Sequence, residues 1–173
     1  MTKLRVGSAL AMTALVAGCS SQPKPGPPPS TFVLPSAAAA LTPAIYMQLA
    51  SNVSLFAIRA SELAQERGSG RTRDVARQVI ANQGGVAAQL SYAGRRVDLL
   101  PDATLPQPMA DDLERLRSSG DFDRDYRRLV GDALSKGLQA HEAFARGGAS
   151  PTLKPVAQMA APQTRKDLDA VRR

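Results

Sequence analysis

The sequence predicts an all-α protein, an antiparallel four-helix bundle with a short extra helix in the connection between its second and third long helices. Three observations carry this. Apolar residues recur at spacings of three and four in four separate segments, the period of one helix face. No stretch alternates apolar and polar with period two, so no sheet is expected. The segments are bounded by hydroxyl caps, prolines and glycine pairs, with mostly short connections, which favours antiparallel neighbours.

The first eighteen residues, MTKLRVGSALAMTALVAG, read as an address rather than as structure. Lys3 and Arg5 form a positive start, and Val6 to Ala17 is an apolar run. A membrane-crossing helix needs about 20 apolar residues, so this run is expected to be a signal peptide. Val16-Ala17-Gly18-Cys19 resembles the bacterial lipobox, with cleavage between Gly18 and Cys19. There the thiol carries a diacylglycerol and the freed amine takes a further acyl chain. Cys19 is the chain's one cysteine, which excludes an internal disulfide. Several acyl chains anchor stably where one binds reversibly. Ser20 stands where an inner-membrane retention signal would show Asp, so the resemblance implies an outer-membrane lipoprotein facing the periplasm. Residues 19–41 then form a linker rich in proline (Pro23, Pro25, Pro27, Pro28, Pro29 and Pro35), expected to be extended at ~3.1 Å per residue.

The bundle is expected over residues 42–173. Thr42-Pro43 reads as a cap and a first turn. Ile45, Leu49, Val53, Phe56, Ala60 and Leu63 make one apolar face, and Gly68 and Gly70 end it. A second helix is expected from about Thr72, with Val75, Val79, Val86, Leu90, Ala93 and Val97 on its face and Asn82 as a polar member. Gly84 and Gly85 interrupt its propensity at about 1 kcal/mol each relative to Ala. After the loop DLLPDATLPQP, a short helix is expected near Ala110–Arg117. Phe122, Tyr126, Leu129, Ala133, Gly137, Ala140 and Phe144 form a third long face, closed by Gly147-Gly148. Ser150-Pro151 opens the fourth, carried by Leu153, Val156, Ala157, Ala160, Leu168 and Val171, with Pro162 expected to kink or break it.

Composition narrows the function. Lys and Arg outnumber Asp and Glu by 22 to 15, a formal charge of +7 that falls to +5 without residues 1–18. An anionic envelope component or a protein is a suitable partner. The cations are scattered, with no run of five, and tryptophan is absent, so no nucleic-acid partner is expected. The chain has a single histidine, His141, which leaves no zinc cluster. No nucleophile-elbow or phosphate-loop motif occurs. Glu62 and Glu66 share a helix face but are flanked by Arg59 and Arg67, which predicts a solvated, ion-paired surface; Glu142 is a third carboxylate near His141. Asp111, Asp112 and Glu114 are expected in the first turns of the short helix, where the dipole favours them.

The stretch SGDFDRDYRRLV places Asp121, Asp123 and Asp125 as a calcium loop begins. Such a loop needs Gly at its sixth position and Glu at its twelfth. Here those positions are Tyr126 and Asp132. We therefore read Asp121 as an N-cap, with Asp123 and Asp125 in the first turn.

With the helices placed, three stretches resemble the exported, ferritin-like DUF4142 family: LASNVSLFAIRASELAQERGSG, DFDRDYRRLVGDALSKGLQAHEAFARGG and SPTLKPVAQMAAPQTRKDLDAV. Together they span nearly all of the bundle. The resemblance implies a ferritin-like bundle in which a first-helix Glu and later histidines point inward. Those positions fall here on Ala57, Gln83, Ser135 and Asp167. Having lost nearly every ligand, the bundle is expected to hold no metal and no cofactor, and no catalytic residue is assigned. The function expected is an envelope-anchored, non-enzymatic module with a structural or interaction role. Its alternatives are a ferritin-like metal-binding or stress protein with a degenerate site, and a binder of polyanions or small molecules in the periplasm. His141 is expected at the edge of the apolar face, bridging core and solvent or bonded to a neighbouring helix.

Overall fold

A computed structural model of the protein describes residues 41–173. The expected signal peptide, the expected lipobox with Gly18 and Cys19, and the expected linker up to residue 40 lie outside the described residues. Five helices follow: α1 (Pro43–Arg67), α2 (Gly70–Arg95), α3 (Gln107–Ser118), α4 (Phe122–Gly147) and α5 (Lys154–Arg172). No strand occurs among the described residues.

The helix ends follow local chemistry. Thr42 Oγ1 accepts from the Ile45 amide at 3.3 Å, and Pro43 fills the first turn, as expected. α2 starts two residues before Thr72 because Ser69 is its cap, its hydroxyl accepting from the Thr72 amide. Thr72 is itself buried. α3 also begins early, after Pro106, and this corrects the expected placement of its acids. Asp111 and Asp112 sit beyond the first turn and bond instead to Gln107 and Arg115 along the helix. Asp121 caps α4, accepting from the Arg124 amide at 3.4 Å. Asp123 accepts from the Ser69 amide, tying the start of α4 to the start of α2, and Asp125 accepts from the Ser119 hydroxyl at 2.7 Å. The three aspartates build a helix start. Ser150 Oγ accepts from the Leu153 amide, so Pro151 begins a turn that leads into α5. Of the kink or break expected at Pro162, the break does not occur, and α5 continues through it. It lies on the exposed side with Gln158, whose carbonyl loses its helical donor there.

The four long helices form a square. α1 and α5 each pack against α2 and α4, and the diagonal pairs are α1/α5 and α2/α4. Neighbours are antiparallel: Tyr46 meets His141 at one end of α1 and Ser61 meets Tyr126 at the other. α2 and α4 therefore run the same way, and residues 96–121 must traverse the bundle. A helix of α2's length spans ~39 Å. One such crossover is the ferritin-like topology. The crossover is pinned by Arg67, whose guanidinium donates to the carbonyls of Leu116 (3.2 Å), Arg117 and Ser119 (2.9 Å) and lies 5.1 Å from the centre of the Phe122 ring. It supplies donors to the open C-terminus of α3. Arg67 thus leaves the ion-paired face expected of it, and among the described residues Glu62 and Glu66 form no ion pair.

α1 is the most enclosed helix, with fourteen of its residues buried. Small side chains allow this. A Cβ on Gly137 would lie 2.8 Å from Val53 Cγ1, so this glycine sets how closely α4 approaches α1. Towards the start of α1 the core is larger. Tyr46 stacks on Phe144 with ring centres 4.1 Å apart, among Leu90, Leu153 and Ala157. Ile45, placed on the apolar face by the sequence, is instead 39% exposed.

Candidate functional site

The bundle interior is not wholly apolar. On α2 the buried positions run Thr72, Ala76, Val79, Gln83, Val86, Leu90, Ala93, alternating steps of four and three. That register turns Gln83 fully inward and leaves Asn82 half-buried at the rim, correcting the expectation that Asn82 was the polar member of the face. On α5 the same spacing turns Thr164 and Asp167 inward, both fully buried. α1 contributes Ser54, also fully buried.

These side chains form one network. Gln83 is its hinge: Nε2 donates to Asp167 Oδ2 at 2.9 Å and to Thr164 Oγ1 at 3.4 Å, while Oε1 accepts from Ser54 Oγ at 3.0 Å. Asp167 Oδ1 accepts from Asn82 at 2.6 Å and from Gln78 at 3.2 Å. Among the described residues no cation forms an ion pair with the carboxylate. Burial pushes the Asp167 carboxyl above its usual range, and the hydrogen bonds from Gln83, Asn82 and Gln78 pull it back towards the charged form. No buried polar side-chain atom among the described residues lacks a partner.

Two smaller polar contacts flank the network. Towards one end Ser61 Oγ and Tyr126 OH are 2.8 Å apart. Burial raises the Tyr126 phenol to about 12, with the Ser61 bond acting against it and the charge of Asp167 adding to it. Towards the other end Tyr46 OH and His141 Nδ1 are 3.1 Å apart. His141 is 1% exposed, not at the edge of the face as expected, though it does bond a neighbouring helix. Burial lowers its imidazole to about 4, so it is neutral at physiological pH.

Of the four positions carried over from the ferritin-like pattern, the structure brings Gln83 and Asp167 into contact. Ala57 is fully buried on α1 but offers only a methyl group, and Ser135 is half-buried and forms no side-chain hydrogen bond among the described residues. These residues do not fit the metal pair that such a bundle can hold. The network has one carboxylate, and the lone pairs that face its neighbours already accept three N–H donors. His141 cannot join it, because its partner Tyr46 lies eight residues from Ser54, ~12 Å along α1. Among the described residues no three His, Cys, Asp or Glu side chains gather as a metal would require. Glu142 is spent on an ion pair with Arg165, across the α4–α5 surface.

The sequence profile of a domain of unknown function, DUF4142, matches residues 30–173. The chain belongs to the DUF4142 family. Comparison with curated proteins and with solved structures gives no match. What this DUF4142 bundle carries inside is thus a closed hydrogen-bonded cluster. Ser54 and Thr164, which complete it, were missed in the sequence. A strict alternation of three and four along α5 (Val156 or Ala157, Ala160, Thr164, Asp167, Val171) would have exposed Thr164 as inward. Ser54 had no such signal, because α1 is buried on almost every side.

Proposed function

We propose that the chain is a lipoprotein of the cell envelope, anchored through Cys19 to the outer membrane and facing the periplasm. Its bundle then acts as a non-enzymatic module with a structural or interaction role. The observation that carries the second part is the closure of the network around Asp167. A reacting centre needs a group left open towards substrate, and among the described residues each buried polar side-chain atom is already engaged by the protein itself. The buried Asp167 carboxylate is held by neutral amides, an arrangement suited to fixing which residues of α2 and α5 face each other. The anchor is supported by the small-residue run before the chain's one cysteine and by the proline-rich linker after it. Among the described residues no helix is long and apolar enough to cross a membrane.

Two experiments test this. Residues 20–173, purified and incubated with iron, manganese or zinc, should retain no stoichiometric metal and show no rise in melting temperature; retention with a thermal shift would sink the non-metal reading. Cys19→Ser should leave the precursor unprocessed or release the protein from membranes, and unchanged processing and anchoring would refute the lipobox.

A second reading, binding of a polyanion or small anion, has one observation in its favour. At the end of the bundle where α2 and α4 begin and α5 stops, Arg71, Arg127 and Arg173 line a small depression together with Val75, Ala170 and Val171.

A further inference from the structure

Three large hydrophobic side chains stand open to solvent among the described residues: Ile45 (39% exposed), Tyr92 (58%) and Leu100 (68%). Single exposed apolar residues are ordinary. Here all three fall at one end of the bundle. Ile45 is in the first turn of α1, Tyr92 in the last turn of α2, and Leu100 in the loop just after it. Antiparallel packing brings the C-terminus of α4 and the N-terminus of α5 to this same end. Asp98, with φ of 55°, makes the turn that closes α2. The Leu99 amide returns to the Gly94 carbonyl at 3.0 Å, and Leu99 packs into the core. The next side chain, Leu100, is left pointing outward.

The charges at this end are mostly positive. Arg95, Arg96, Arg146 and Lys154 lie here, and none forms an ion pair among the described residues. Asp98 and Asp102 are the carboxylates of the loop, and Glu142, further along α4, is paired with Arg165. Arg95 and Arg146 suit the helix C-termini on which they sit. That accounts for two cations but not for the exposed Tyr and Leu beside them. The end also has a covalent distinction, since residues 19–41 enter the bundle here, at the start of α1.

We propose that this end of the bundle docks on the surface of an anionic bilayer. Tyr92 and Leu100 enter the headgroup region, and Arg95, Arg96, Arg146 and Lys154 face lipid phosphates. The proposal rests on the anchored reading above, because the tether delivers this end to the bilayer and raises its local concentration. The tether then strengthens a contact that the free bundle also makes. Tyr is suited to the interface, with an apolar ring and a polar tip, and basic side chains add attraction to anionic lipid. Acyl chains plus a basic patch are the two signals that make peripheral anchoring stable.

The test uses residues 35–173, which contain every helix of the bundle and its whole core but lack Cys19. This fragment should sediment with vesicles of phosphatidylcholine mixed with phosphatidylglycerol, should remain in solution with pure phosphatidylcholine, and should be released by high salt. Tyr92→Ser with Leu100→Ser, and separately Arg95→Gln with Arg96→Gln, should each weaken partitioning by roughly tenfold or more. All four side chains are exposed, and unchanged far-UV circular dichroism would show that the variants fold. Arg71→Gln with Arg127→Gln, at the opposite end, removes the same charge and should have the smaller effect. The proposal is overturned if the fragment ignores anionic vesicles, as it would if a protein covered this patch, or if the opposite-end pair weakens binding as much. Because the fragment carries no Cys19, such a failure would leave the anchor standing, and loss of the anchor would be read separately from Cys19→Ser.

Discussion

Replacing Asp167 separates the two things this residue does. It buries a charge, and it accepts hydrogen bonds from Gln78, Asn82 and Gln83. Asp167→Ala removes both. Gln78 and Asn82 are half-buried and can turn to water, but Gln83 is fully buried and its Nε2 keeps only the long contact to Thr164. An orphaned buried donor costs about 1–3 kcal/mol, and the vacated carboxyl volume adds about 1 kcal/mol. Release of the buried charge offsets part of this, so a net loss of about 2–3 kcal/mol is expected. Asp167→Asn keeps the shape and removes only the charge. Its new amide meets the Gln83 amide donor-to-donor until Gln83 turns over. The hydroxyls of Ser54 and Thr164 can rotate to match the turned amide, so the expected change is within about 1 kcal/mol. Urea unfolding followed by far-UV circular dichroism at neutral pH measures both. The pH profile adds a second check. A carboxyl raised in the folded state binds its proton before the unfolded chain does, so Asp167 favours folding increasingly as pH falls through its folded value. Asp167→Asn should remove that rise. An Ala variant as stable as wild type, or an Asn variant as damaged as Ala, would refute the description of the cluster as a closed network centred on this carboxylate.

Other consequences are equally direct. The imidazole of His141 is lowered by burial to about 4, against 6.5 normally, so the unfolded chain takes up the proton first. Stability from this group is complete above the unfolded value and should fall by up to about 3 kcal/mol between those two pH values. His141→Gln should flatten that limb of the urea-midpoint profile, and an unchanged slope would contradict the buried neutral imidazole. Gly84→Ala and Gly85→Ala should each raise stability by about 0.5–1 kcal/mol, because nothing lies within 4 Å of the added carbon. Gly137→Ala should lower it by about 1–3 kcal/mol through the clash with Val53. Thermal melts of the three variants would expose any reversal of sign.

Most of the secondary structure was legible because it is written in local chemistry. Caps at Thr42 and Asp121, and the Ser150 bond in the turn before α5, act within three residues of themselves, and an apolar period needs only its own helix to be read. The errors share a cause. Arg67 was paired with its sequence neighbours, whereas it serves carbonyls some fifty residues away on α3. Pro162 was expected to kink or break a helix, and α5 continues through it; the cost of such a proline depends on whether the freed carbonyl faces the exposed side. Asn82 and Gln83 are adjacent in the chain, and a shift of one residue in the face decides which is inside.

The sequence alone therefore determined that this is a helical bundle of the DUF4142 type and that Asp121, Asp123 and Asp125 begin a helix; a resemblance, and no more, pointed to Ala57, Gln83, Ser135 and Asp167. Only the tertiary structure decided what those residues do together. Gln83 and Asp167 are eighty-four positions apart, and neither carries any mark of the other. Their contact, with Ser54 and Thr164 completing it, exists because antiparallel packing aligns α1, α2 and α5 at one level. A buried polar group is tolerable only when packing delivers its partner, and no local pattern records that delivery.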